Sequence, residues 1–183
     1  VWPQANHYNV PYTKFYLSIG HAGASFAHTM EMIRERLAAN PIAIQIPWGE
    51  GPGFKGIVDL LNMELLTWND ETGKTTIRSA IPDEVLPEAE RERSILVERI
   101  IETDDGLTEK YLREEEVTVG ELMRALRAAA LRGQAQPVLC GSALKNRGIQ
   151  PLLDAVVDYL PSPLDVPPIT GVNPRTGQEE HRR

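Results

Sequence analysis

The sequence has one cysteine, Cys140, among 183 residues, so no internal disulfide can form, and the usage fits a reducing compartment. It has no run of about 18 consecutive apolar residues, which excludes a membrane-spanning helix of the usual length. Val1 to Tyr16 lacks a basic segment followed by an apolar one. No secretory signal is therefore expected, and the expected location is the compartment of synthesis, the cytoplasm. One cysteine and four scattered histidines (His7, His21, His28, His181) form no C-x-x-C or H-x-x-x-H pair, so metal ligation has no sequence support. No G-x-x-x-x-G-K-[ST] phosphate loop and no G-x-S-x-G nucleophile elbow occur, and no internal repeat or low-complexity tract is visible. A formal charge of −7 argues against a nucleic-acid surface spread over the whole chain, because phosphate neutralisation needs clustered Lys and Arg.

What is present is an ordinary composition, 42% hydrophobic and 25% charged, at a length of about one domain or one domain plus an insertion. The acidic excess is local. Residues 83–116 hold 13 acids against five bases, a net −8, and the rest of the chain is close to neutral. This window is either the surface for a basic partner or simply a solvated helix face.

The run YTKFYLSI from Tyr12 suits a strand, and Phe26, Met30, Ile33 and Leu37 then recur at helical spacing until Asn40-Pro41. From Ile42 the segments IAIQIPWG, FKGIVDLLNMELLTW and TTIRSAI predict a small, mostly antiparallel sheet. Two helices are expected next. The first runs from about Asp83, with Leu96, Val97, Ile100 and Ile101 inward and Glu84, Glu88 and Glu92 on one outward row. The second opens on the capping box Thr118-Val119-Gly120-Glu121 and ends at Gly133. Pro137 to Cys140 then reads as a short apolar strand, Gly141 to Leu144 as a loop, and Leu152, Leu153, Val156, Val157 and Leu160 as an amphipathic helix. Pro161-Ser162-Pro163 and Pro167-Pro168 lead into a polar tail.

Few segments offer chemistry. Gly49 to Gly56 is glycine-rich, but Lys55 precedes Gly56 and a β-like run, so a connection between strands is the plainer reading. Ser142 as a nucleophile would need a base that no spacing supplies, and Trp2, Trp48 and Trp68 are most economically core or edge residues. Cys140-Gly141-Ser142-Ala143-Leu144 is better placed, because open α/β sheets bind ligands outside the carboxyl ends of their strands. It is either such a contact or a plain turn.

The run PVLCGSALKNRGIQPLLDAVVDYLPSPLDVPPI, residues 137–169, resembles the end of the GTP-binding domain of bacterial elongation factor G, with its Ser-Ala-Leu guanine loop, last helix and Leu-Pro-Ser-Pro exit. EMIRERLAANPIAIQIPWG, FKGIVDLLNMELLTWND and ETDDGLTEKYL resemble the family's inserted subdomain. Val1-Trp2 to Asn9-Val10-Pro11 resembles the helix and strand start before the guanine-reading motif.

The resemblance implies an α/β fold: the C-terminal half of a P-loop-GTPase-type parallel sheet domain interrupted by an α+β insert. Residues 1–40 and 135–163 would form the partial GTP-binding domain, 41–134 the insert, and 164–183 a linker toward a missing second domain. It implies nucleotide-binding roles for Ser142, Ala143 and Leu144, above all the Ala143 amide toward the base oxygen. It also implies that Glu84, Glu88 and Glu92 face the ribosomal stalk protein. The parent would use GTP or GDP with Mg and hydrolyse GTP to drive ribosomal translocation. Alternatives are a non-catalytic stalk-docking module and a fragment of a recycling or tetracycline-protection paralogue.

Departures from the family pattern bear on activity. Leu17-Ser18-Ile19-Gly20 stands where the family has Asn-Lys-X-Asp, so the aspartate that pairs with guanine is gone. A hydrogen bond to such a charged group is worth roughly 1.5 to 3 kcal/mol. The phosphate loop, the switch segments and the magnesium aspartate are also missing, and this chain alone is expected to be inactive. Residues 12–18 are expected to lie beside 137–140 as parallel strands, leaving one β edge uncovered.

Overall fold

The computed structural model describes residues 10–182 except 22, 38, 71, 166–168 and 173–178. The expected helix and strand start over residues 1–9, and with it Trp2 and His7, lies outside the described residues.

The expected α/β architecture is present as a three-stranded parallel sheet and a separate four-stranded antiparallel sheet. In the parallel sheet, β7 (Gln136–Cys140) lies between β1 (Lys14–Tyr16) and β2 (Pro41–Ala43), with Lys14 opposite Val138 and Ile42 opposite Pro137. All five residues of β7 are buried, as a strand paired on both edges should be. A proline is rare in such a strand because it cannot donate to a ladder. Here the Gln136 amide reaches the Asn40 carbonyl at 2.9 Å on the β2 side. Alternation therefore turns the nitrogen of Pro137 toward the β1 side, where pairing starts only at Val138.

The apolar stretch from Ile42, expected to belong to one antiparallel sheet, is divided between the two sheets. Pro41–Ala43 runs parallel to β7, and β3 (Gln45–Trp48) runs antiparallel to β4 (Gly56–Asp59). The change of sheet falls on Ile44, whose amide donates to the Val138 carbonyl at 3.1 Å while its carbonyl accepts from the Leu60 amide at 3.0 Å. FKGIVDLLNMELLTW likewise contains two strands, β4 and β5 (Glu64–Thr67), with β6 (Ile77–Ser79) completing the order β3-β4-β5-β6. No glycine or proline marks that turn. The Asp59 carboxylate makes it instead, accepting from the Leu61 amide at 2.8 Å and the Asn62 amide at 3.1 Å.

The first helix, α1 (Phe26–Leu37), buries Phe26 and Met30. The next, α2 (Leu86–Ile101), begins three residues after Asp83, with Asp83 to Val85 forming a turn ahead of it. Its Arg93 guanidinium reaches back to the Leu60 and Leu61 carbonyls at 2.5 and 2.7 Å, tying α2 to the β4–β5 turn. A further short helix, α3 (Asp105–Leu112), lies between the two expected ones, and the Asp104 side chain caps it by accepting from the Leu107 amide at 3.0 Å.

The expected capping box opens α4 (Val119–Leu131). Thr118 Oγ1 accepts from the Glu121 amide at 3.3 Å, and the Glu121 carboxylate accepts from the Thr118 amide at 2.8 Å. A hydrogen bond from Lys110 leads the contacts that hold the Glu121 carboxyl down to about 2. The last helix, α5 (Ile149–Tyr159), is joined to α4 by Arg127. Its guanidinium donates to the Val157 and Asp158 carbonyls and meets the Asp165 carboxylate at 2.7 Å. Within the segment expected as a linker, β8 (Ile169–Val172) and β9 (Glu179–Arg182) pair as a separate antiparallel ladder.

The buried side chains of both sheets and of α1, α2, α4 and α5 form one continuous apolar cluster, with Ile42, Ile57, Leu66, Leu96, Ile100 and Leu126 essentially sealed from solvent. The two sheets therefore share a core rather than folding around separate ones. Thr118→Ala should lower unfolding stability by about 1 kcal/mol through loss of the helix cap, read as a shift of the urea midpoint at unchanged slope.

Candidate functional site: the loops at the carboxyl ends of β1 and β7

Parallel strands β1 and β7 end side by side, and the loops that follow them touch. The Gly141 amide donates to the Tyr16 carbonyl at 3.0 Å, the Ile19 amide reaches the Gly141 carbonyl at 3.4 Å, and Ser18 bridges Ser142. The glycine-rich segment closes this corner from the third side, its Gly51 amide donating to the Ile19 carbonyl at 2.7 Å.

The segment after β7 is a tight, self-bonded loop. Ser142 and Arg147 exchange backbone hydrogen bonds of 2.9 and 3.0 Å around a single 3-10 turn, Ala143–Lys145. Gly148, at φ +88°, returns the chain to α5, and a Cβ there would lie 2.8 Å from the Cys140 carbonyl oxygen. Only glycine fits that position. A Cβ on Gly141 would meet the Arg147 carbonyl at 2.5 Å and the Phe15 ring at 2.6 Å.

Ser142 is buried at the base of the loop, whereas Ala143 and Leu144 stand at its tip, Leu144 being 87% exposed. Among the described residues, the amides of Ala143 and Leu144 donate to no acceptor. They are the first two amides of the turn, the ones that helical geometry leaves unpaired. The arrangement offers two backbone donors at the carboxyl edge of a parallel sheet, suited to a carbonyl oxygen of a planar ligand.

Position 20 faces the same corner. A Cβ on Gly20 would lie 3.2 Å from Ser142 Oγ, so a side chain there would begin against the Ser142 to Leu144 loop. In this chain the position brings no carboxylate.

The glycine-rich segment does not suit a phosphate. It joins β3 to β4, the Gly51, Gly53 and Phe54 amides are already engaged, and Glu50 brings a negative charge. That carboxylate has a structural task, accepting from the Phe26 amide at 2.6 Å to cap α1 from 24 residues away. Among the described residues, no three His, Cys, Asp or Glu side chains gather where a metal ion could be held.

The three acidic residues expected as a partner surface do not share one helical row. Glu84 precedes α2, accepts from Trp48 Nε1 at 3.1 Å and pairs with Lys55 at 3.5 Å. Glu88 and Glu92 are on α2, both beside Arg91. They line a cleft of about 590 Å3 against α1, together with Arg34, Arg99, Met30 and Ile95.

Sequence reasoning missed the segment that supports the loop from outside. The Asn146 side chain donates to the Thr72 carbonyl at 3.0 Å, and Gln150 donates to the Gly73 and Lys74 carbonyls at 2.7 and 3.2 Å. The Asn69-Asp70 break signals a turn, but its target lies some 75 residues onward in the chain.

Cys140 ends β7 directly beneath the loop. Burial pushes its thiol far above the ordinary range, reinforced by the Glu50 charge. The native chain should therefore resist iodoacetamide at pH 8 and react rapidly once unfolded in guanidinium, as followed by mass spectrometry.

No family model matches the chain. It is 44% identical over 178 residues to elongation factor G of Petrotoga mobilis, a match that covers 97% of this chain and 26% of that protein. A crystal structure from Thermus thermophilus superposes with a TM-score of 0.80 at 29% identity, covering 96% of this chain and 27% of that one. The chain thus spans about a quarter of the length of the relatives it matches. Together with the parallel sheet, the antiparallel insert and the loop after β7, this makes the chain a segment of the elongation factor G family.

Proposed function

We propose that this segment is the guanine-side half of a GTP-binding domain from a translation factor whose whole form hydrolyses GTP to move the ribosome, and that it works in the cytoplasm. The observation that carries the reading is the pair of unengaged amides at Ala143 and Leu144, held beside the end of β1 by the buried Ser142. In this reading the Ala143 amide donates to the base oxygen, Leu144 flanks it, and position 20 stands where the base-pairing carboxylate belongs. The expected division into 1–40 with 135–163 and 41–134 is best drawn a few residues later: residues 1–43 and 135–163, which include all three strands of the parallel sheet, act as the partial nucleotide domain, and residues 44–134 act as the insert. The residues present suit the base of GTP or GDP; triphosphate and Mg would be held by the parent's other half.

With Gly20 in place of a carboxylate, the chain alone should bind guanine nucleotide only weakly. Titration with a fluorescent GDP analogue should show no saturation below about 1 mM, a free energy near −4 kcal/mol. Tight, magnesium-dependent binding would reject the assignment.

The excess of eight acidic charges over residues 83–116 favours a second role for the same segment, docking on a basic partner. We take that partner to be the ribosomal stalk protein, met through Glu84, Glu88 and Glu92, with the charge supplying steering more than affinity. Glu88, the more openly placed of the two on α2, is the residue to change. Glu88→Lys should weaken stalk binding severalfold at low salt and much less near 0.5 M, as measured by surface plasmon resonance. Equal binding at both salt concentrations would remove this surface from consideration.

A further inference from the structure

The guanine-side loop is held on its outer side by a turn that belongs to the antiparallel sheet, between β5 and β6. This turn is itself strongly organised. The Asp70 carboxylate accepts from Thr72 Oγ1 at 2.6 Å and from the Lys74 and Thr75 amides at 3.0 and 3.1 Å. Those bonds, the Thr72 hydroxyl first, hold the Asp70 carboxyl far below the usual carboxylate range, so the turn keeps its anion at all ordinary pH.

The organised turn meets the guanine-side loop backbone to backbone. Gly73, at φ +63°, approaches so closely that a Cβ would lie 2.6 Å from both the Lys145 and the Asn146 carbonyl oxygens. Asn146, itself in the left-handed region at φ 52°, donates from its side chain to the Thr72 carbonyl. Gln150, in the first turn of α5, donates to the Gly73 and Lys74 carbonyls. Three turn carbonyls are therefore bound by two side chains that follow the turn carrying Ala143 and Leu144.

We propose that Asp70 and Gly73 are positioning residues for the guanine-side loop. Through Asn146 and Gln150 they fix the direction of the Ala143 and Leu144 amides, so that the β5–β6 turn and the nucleotide base side move as one body. A partner that shifts the antiparallel sheet would alter base recognition by this route, and bound base would rigidify the turn in return. The inference rests on the guanine reading for its ligand, but not for the mechanical coupling itself.

The test is amide NMR on the full 183-residue chain, unaltered and as Gly73→Ala, Asp70→Asn and Gln150→Ala. In the variants, the Lys145, Asn146 and Arg147 amides should exchange at least tenfold faster, and the Ala143 and Leu144 resonances should move. The Val58 and Leu65 amides of the β4–β5 hairpin should keep their rates. If Gly73→Ala does not fold, the isosteric Asp70→Asn decides. Loop amides unchanged in Asp70→Asn and Gln150→Ala, or loosened no more than the hairpin, overturn the proposal. Guanosine monophosphate at millimolar concentration should shift Ala143 in the unaltered chain and much less in the variants. No shift in the unaltered chain would reject the guanine reading, leaving the exchange rates to judge the coupling.

Discussion

The fold depends on one strand with both edges occupied. β7 receives β1 on one side and β2 on the other, and every residue in it is buried, so its backbone has no water to fall back on and each ladder bond must be made within the protein. Where regular pairing ends, side chains continue it. The Cys140 amide is met by Gln45 Oε1 at 3.4 Å, and the Asn40 amide by Gln136 Oε1 at 2.9 Å. The two buried glutamines are thus substitutes for missing strand residues at opposite ends of β7. Their positions also explain why the antiparallel sheet cannot drift from the parallel one: Gln45 opens β3 and Ile44 bonds into both sheets.

Much of this architecture was legible in the residues because local signals coincided with it. Helical spacing placed α1, and the box of Thr118 and Glu121 fixed the start of α4 to the residue. The parallel pairing of β1 with β7 agrees with the arrangement expected of residues 12–18 and 137–140 from the family resemblance. Local signals failed where long-range contacts supply the reason. Ile44 carries no mark of a sheet change, since an apolar residue in an extended run looks the same in either sheet. The β4–β5 turn has neither glycine nor proline, and Asp59 with Arg93 from α2 does their work. The acidic row looks continuous in the sequence because Glu84, Glu88 and Glu92 recur four residues apart. Pro87, however, suits the first turn of a helix rather than its second, which moves the start forward.

The candidate site was legible in part. Glycines and small residues after an apolar strand pointed to the loop at Ser142 to Leu144, and the family resemblance said what such a loop touches. What the sequence alone could not convey was its company: the Gly51 amide on the Ile19 carbonyl, and the turn at Gly73 pressed on Lys145 and Asn146. These contacts join positions about 30 to 75 residues apart and leave no periodic trace. They also show why the glycine-rich stretch is not a phosphate loop. Its Gly51 amide closes a corner of the fold, its Gly53 and Phe54 amides are spent within its own turn, and its one carboxylate caps a helix.

Arg127 gives the molecule a mechanical property. Its guanidinium clasps the Val157 and Asp158 carbonyls at the end of α5 and the Asp165 carboxylate beyond it, and Asp165 also accepts from the Ser162 amide at 2.7 Å. A tug on the polypeptide past residue 165 would therefore not run straight down α5 into β7. The load would be shared sideways with α4, as a bracket shares the weight of a hinge, and whatever the following polypeptide does would be felt by the helical layer while the strand above it stays under less strain.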